Sequence, residues 1–103
     1  MLNNNLNNTA INRLYYACFY AATALLIDKD IQTKTHAGVK QQLGLLFIST
    51  GLIDKFLGIA YNDLFNMRQK GDYEDFIVYS NDDVVAYLKP VDDFIKKAAT
   101  LLV

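Results

Sequence analysis

The stretch from Asn12 to Leu26, reading Asn-Arg-Leu-Tyr-Tyr-Ala-Cys-Phe-Tyr-Ala-Ala-Thr-Ala-Leu-Leu, constrains the fold more than any other part of the chain. Between Leu14 and Ile27 only Thr23 is neither apolar nor aromatic. A helix on the surface of a globular domain shows an apolar stripe and a polar back. This segment has no polar back. It must be buried on nearly all sides or present a second face to another chain. Arg13 closes it at one end and Asp28, Lys29 and Asp30 at the other. The run is therefore shorter than the roughly 20 apolar residues that span a bilayer. No membrane role is expected.

The rest of the chain reads as helix too. The spacing of Ile11, Leu14, Tyr15, Cys18, Ala22, Leu25 and Leu26 predicts a first helix over about Thr9–Ile27, capped by Asn8 or Thr9. A second is expected over Thr35–Ile48, with Val39, Leu43 and Leu46 on its apolar stripe and Ser49-Thr50-Gly51 as its stop. A third is expected from Leu52 to Lys70, ended by Gly71. Residues 71–80 read as a loop, with Phe76–Tyr79 a short extended piece at most. The last helix should open at Ser80 or Asn81, with Asp82 and Asp83 where the helix dipole favours them, and run to Leu102. Pro90 lies inside it, which predicts a kink or a break near Leu88. The expected fold is all-α: one antiparallel up-and-down helical bundle of about four helices over residues 1–103. Three further helices look insufficient to cover the first, so self-association through Tyr16, Phe19 or Tyr20 is expected.

Charge limits the partners. The net charge is −1, unlike that of most proteins that live on nucleic-acid phosphates. The balance is uneven, however. Lys and Arg are in excess up to Lys70, whereas the tail carries Asp72, Glu74, Asp75, Asp82, Asp83, Asp92 and Asp93. Any anion site belongs in the first two thirds. Cys18 is the single cysteine, so no internal disulfide or cysteine metal cluster is available, and it reads as a small buried hydrophobe. No metal or cofactor is implied. The start, Met1-Leu2 followed by asparagines, lacks the pattern of a signal peptide, so the expected compartment is the cytoplasm.

Three landmarks stand in order: Ala10-Ile11-Asn12-Arg13-Leu14-Tyr15-Tyr16-Ala17-Cys18-Phe19, then Lys34-Thr35-His36-Ala37-Gly38-Val39, then Asn66-Met67-Arg68-Gln69-Lys70-Gly71-Asp72-Tyr73. Together they resemble the HEPN domain family, and within it the small stand-alone branch often encoded beside a minimal nucleotidyltransferase. The resemblance covers about Thr9 to Leu102. It implies an all-α bundle that dimerises and works with a partner protein, in a toxin–antitoxin-like or nucleotide- or RNA-binding system. Members of this branch usually carry a further helix before the Asn-Arg-x-Tyr-Tyr segment, where this chain has only Met1 to Asn8. A truncated start is one expectation from that difference.

Ribonuclease members of the family carry an Arg, four to six residues, then a His. Arg68 matches the Arg, but Tyr73 stands where the His would be. Related toxins receive a nucleotide on a Tyr two positions further on, and that position is Asp75 here. Weak or absent nuclease activity is the expectation, with anion binding left to Arg68 and Arg13. The alternative is a metal-independent ribonuclease using Arg68 with Asp72, Tyr73 or His36, and a third reading is a purely structural dimerisation module. Each residue also has a plain structural use. Arg68 can pair with Asp72, His36 can cap or lie on the surface, and Tyr73 can simply pack. A general base needs a group that exchanges a proton near neutral pH, which favours His36 over tyrosine. The sequence alone does not bring His36 to Arg68.

Overall fold

A computed structural model describes residues 2–73 and 78–102, with side chains described for 6–70 and 78–102. Four helices follow one another: α1 (Leu2–Asp28), α2 (His36–Leu43, continuing as a π-helical turn over Gly44–Ile48), α3 (Lys55–Tyr73) and α4 (Asn81–Leu101). Among the described residues there is no strand. The all-α expectation holds. Phe76 and Ile77 of the expected extended piece lie outside the described residues, and Val78 and Tyr79 are irregular.

Helix α1 is the hub and packs against each of the other three. Its inward face is Ile11, Tyr15, Cys18, Ala22, Leu25 and Leu26, all buried. Against it come Val39, Leu43 and Phe47 of α2, Leu57, Tyr61, Leu64 and Phe65 of α3, and Val91, Phe94 and Ala98 of α4. Cys18 lies in this core as the sequence suggests, and burial pushes its thiol up to about 12, so it is inert.

Helix ends follow local chemistry where a side chain supplies it. Thr35 caps α2, its hydroxyl accepting from Gly38 N–H at 2.9 Å. Asp54 caps α3 through Phe56 N–H. Ser80 and Asp83 form a reciprocal capping box on α4. Helix α1 ends in a Schellman turn: Ile31 N–H reaches Leu26 C=O and Asp30 N–H reaches Ile27 C=O. Asp30 takes the left-handed position at φ 60°, which costs a residue with a Cβ more than it costs glycine. Asp30→Gly is therefore expected to raise unfolding free energy by about 1 kcal/mol, read by urea denaturation. A fall in stability would refute the assignment.

Three boundaries differ from the sequence expectation. Helix α1 starts at Leu2, not Thr9, so Asn8 is inside it; its side chain accepts from Tyr79 N–H instead of capping. Gly71 does not end α3, which continues to Tyr73, because glycine in a helix costs only about 1 kcal/mol and is no barrier by itself. Pro90 does not break α4. The carbonyl that loses its donor to Pro90 belongs to Ala86, which is exposed, so water can take its place.

The longer α1 also changes the membrane argument. Leu6–Asp28 is long and apolar enough to cross a membrane by length and composition, with a mean hydropathy of 1.2. A third of that window is buried inside the bundle, where it forms the hub.

Candidate functional site

The start of α2 and the end of α3 meet over the middle of α1. The three landmark motifs converge there. His36 is the first residue of α2, and Thr35 fixes its backbone through the cap. Its ring stacks on Phe19 at 4.2 Å between centroids and lies 5.7 Å from both Tyr15 and Tyr16. Its Nδ1 is 2.7 Å from the Tyr15 hydroxyl. Arg68, on α3, lies over the same two tyrosines, with its guanidinium carbon 5.7 Å from the Tyr15 ring and 5.4 Å from the Tyr16 ring. Its Nη2 donates to the Tyr16 hydroxyl at 3.1 Å. A cation over an aromatic face is held electrostatically, and arginine stacks there especially well. His36 and Arg68 thus share one aromatic floor and are close enough for the Arg68 charge to act on the imidazole.

The electrostatics of this cluster are set by burial. Tyr15 is fully buried, and desolvation pushes its phenol up to about 12. It remains protonated at neutral pH. Behind it lies Tyr61, its ring edge-on at 5.9 Å and its hydroxyl also pushed up by burial. The Tyr61 and Tyr15 hydroxyls influence one another, but the Tyr61 oxygen makes no hydrogen bond of good geometry within the described residues. Burial first, and the Arg68 charge second, lower the pKa of His36. The imidazole is neutral at pH 7. A hydroxyl can donate to Nδ1 or accept from it, so Tyr15 supports either tautomer.

The lowered pKa has a consequence for stability. The unfolded chain takes up a proton near pH 6.5 that the folded His36 resists, so the unfolded state binds more protons as pH falls. The contribution of His36 to stability is complete above that pH and is lost as pH drops through it. Melting temperature should fall between pH 7 and pH 5, and His36→Gln should flatten that slope. An unchanged slope in the variant would rule this out.

A cavity lies beside the cluster. Lys40, one turn after His36, stands with its ammonium 4.4 Å from the centroid of the Phe65 ring, and Phe65 is one turn before Arg68. Lys40 also lines a cavity of about 400 Å³ that continues between α2 and α3 past Gln41, Gly44, Gly58 and Asn62 to Lys55. Its described lining includes two lysines and no carboxylate. Gly44 leaves open space where a side chain would stand. Arg68 and His36 sit over the tyrosines of α1, and Lys40 and Lys55 stand at the neighbouring cavity.

Arg68 and His36 are together, as the ribonuclease alternative requires. The side chains of Asp72 and Tyr73, and the whole of Asp75, lie outside the described residues. Arg13 is exposed on the side of α1 away from the core and takes no part in the cluster described above. Tyr16 and Phe19 are half-buried within the chain by this cluster, whereas Tyr20 is 65% exposed. Sequence reasoning missed Lys40. Its one available signal was a position four residues after His36, on the same helix face.

Known proteins resemble this chain in sequence. A protein named "UPF0332 protein" from Thermotoga maritima is 32% identical over 102 residues, covering 99% of this chain and 77% of that protein. Two proteins of Methanocaldococcus jannaschii carry the names "Putative toxin MJ0605" and "Putative toxin MJ0142". The first is 40% identical over 73 residues, 71% of this chain and 54% of its own length. The second is 31% identical over 103 residues, 100% of this chain and 70% of its own length. The family model described as HEPN domain matches residues 1–101. With an all-α bundle that brings all three landmark motifs to one place, the chain belongs to the HEPN domain family.

Proposed function

We propose that this chain is a toxin-like HEPN module that binds the phosphates of RNA, or of a nucleotide, along the seam between α2 and α3. It works in the cytoplasm with a partner protein, a minimal nucleotidyltransferase by the family resemblance. The observation that carries this reading is Arg68, whose guanidinium is oriented by the Tyr16 hydroxyl beside a neutral His36. Oriented guanidinium groups recognise phosphate oxygens in pairs. Lys40 and Lys55, at the neighbouring cavity, add positive charge for a backbone longer than one phosphate. The names of the Methanocaldococcus jannaschii relatives support the toxin-like part. The test is binding of a fluorescently labelled single-stranded RNA at low salt, read by anisotropy. Affinity that weakens with added salt is expected. No affinity at about 50 mM salt, where phosphate contacts are strong, would reject the reading.

One observation favours a second reading, RNA cleavage. The hydrogen bond between Tyr15 and His36 holds an imidazole that is neutral at pH 7 beside the phosphate-binding arginine. In that reading His36 takes the proton of a ribose 2′-hydroxyl. The 2′-oxygen attacks the adjacent phosphorus, the bond to the 5′-oxygen breaks, and that oxygen leaves with a proton from water. Arg68 stabilises the extra negative charge on the phosphate oxygens. Loss of a general base costs about 10²–10⁴-fold in rate. His36→Gln must then lose cleavage while keeping most RNA affinity, and chelator must leave cleavage unchanged. Equal cleavage by wild type and His36→Gln would dismiss this reading and leave binding standing.

A further inference from the structure

We propose that the cavity between α2 and α3 binds a medium-chain aliphatic carboxylate. Its walls include the aliphatic side chains of Leu43, Leu45, Ile48 and Ile59, and at about 400 Å³ it falls within the range of small-ligand pockets. Leu45 and Ile59 are 56% and 50% exposed, so an apolar occupant covers surface that is otherwise wet. Among the described residues no aromatic ring lines the cavity. Nucleobases are held by stacking on such rings, so this cavity suits a chain and not a base. The backbone marks the same place. Gly44–Ile48 is a π-helical turn, a geometry that recurs at functional sites. Packing requires Gly58, because a Cβ there would meet Ile48 at 3.0 Å. Packing does not require Gly44. Its φ of −61° and ψ of −45° suit any residue, and a Cβ there would meet nothing within 4 Å. Glycine weakens a helix relative to alanine, and what it supplies at this position is room in the cavity.

The polar residues identify the head group and its place. Lys40, Gln41 and Asn62 stand toward one end, for Lys40 lies over Phe65, three residues beyond Asn62 on α3. Ile48 and Gly58 meet at the other end. Between Gly58 and Phe65 the helix rises about 10 Å, room for a chain of medium length. The charge calls for an anion. Neither Lys40 nor Lys55 forms an ion pair among the described residues. The carboxylates next in sequence to the lining are engaged elsewhere: Asp54 caps α3, and Asp63 accepts from the Tyr87 hydroxyl. The face of Phe65 holds the Lys40 ammonium at 4.4 Å, so less freedom is lost when a carboxylate arrives. The Gln41 and Asn62 amides are donors for its second oxygen. Lys55 lies toward the apolar end and does not hold the head. The bound acid occupies Lys40, which the phosphate reading gives to longer RNA, so the two ligands compete there. The proposal is independent of that reading, since its test contains no RNA.

The test is an NMR titration of the isotope-labelled 103-residue protein with octanoate, below its micelle concentration, and with octanol. Saturable shifts confined to residues 40–48 and 55–65 are expected. The acid should bind about tenfold or more tighter than the alcohol, the size of a hydrogen bond to a charged group. Lys40→Met should bring acid and alcohol to equal affinity, and Lys55→Met should leave the preference in place. Gly44→Leu fills the cavity and should abolish the shifts from both. Leucine is the better helix former, so the melting temperature should not fall. A wild type without saturable shifts overturns the proposal, as do shifts spread over α1 and α4. So does octanol bound as tightly as octanoate, an acid preference intact in Lys40→Met, or octanoate binding unchanged in folded Gly44→Leu.

Discussion

Arg68→Ala is expected to weaken the affinity for single-stranded RNA by about ten- to a hundredfold. A hydrogen bond to a charged group contributes about 1.5–3 kcal/mol, and each 1.4 kcal/mol is tenfold. The guanidinium is half-buried over Tyr15 and Tyr16 and tied to the Tyr16 hydroxyl, so its direction is fixed before any ligand arrives. Less freedom is then lost on binding. Arg68→Lys keeps the charge but loses the planar fork, and should fall between the two. The dependence of affinity on salt should drop by about one phosphate contact in Arg68→Ala. Truncating Arg68 also removes packing on two tyrosines, so melting and helicity are measured beside binding. Wild-type affinity in a folded Arg68→Ala would remove Arg68 from the site. Lys40→Ala is the complementary measurement. It should weaken longer RNA more than a mononucleotide, because Lys40 stands at the neighbouring cavity, one turn after His36.

The fold was legible where one residue type decides a local question. Helical periodicity put four helices in the right order, and the Ser80 start of α4 followed from its capping residues. Gly71 and Pro90 misled because each is a local preference of limited size, and the helix continues through both. The Asn-rich start misled in the opposite direction. Polar residues gave no stripe to read, yet α1 continues through them to Leu2. The site was legible in its parts and not in its assembly. His36 and Arg68 are 32 positions apart, and what joins them is that α2 and α3 both pack on α1 over Tyr15 and Tyr16. A short link, Ser49–Asp54, connects the two helices. Such a link returns the end of one helix beside the start of the other. That inference was available from the helix boundaries. The role of Tyr15 was not, because a buried tyrosine at core spacing gives no sign of where its hydroxyl points.

Tyr15→Ala should be the most destabilising single change at the site, costing about 3–5 kcal/mol, the range for large aromatic truncations in cores. Tyr15 is fully buried, and its ring contacts those of Tyr16, Phe19, His36, Tyr61 and Phe65 at centroid distances of 5.2–6.1 Å. Small domains have only about 5–15 kcal/mol of stability in total. The melting temperature should fall by more than about 12 °C, and the variant will sit near the edge of folding. Tyr15→Phe separates the two uses of this residue. It keeps the ring and loses the hydroxyl, with its bond to His36 and its influence on Tyr61, for about 1 kcal/mol. It leaves the aromatic surface under Arg68 in place, so RNA affinity should be nearly that of wild type. Cleavage, if His36 is the base, should fall in Tyr15→Phe, because Nδ1 loses the hydroxyl that orients the ring. A small stability loss with intact binding in Tyr15→Phe, beside near-unfolding in Tyr15→Ala, would place the packing role in the ring and the positioning role in the oxygen. A Tyr15→Phe protein as unstable as Tyr15→Ala would mean that the hydrogen bond, not the packing, holds the three motifs together.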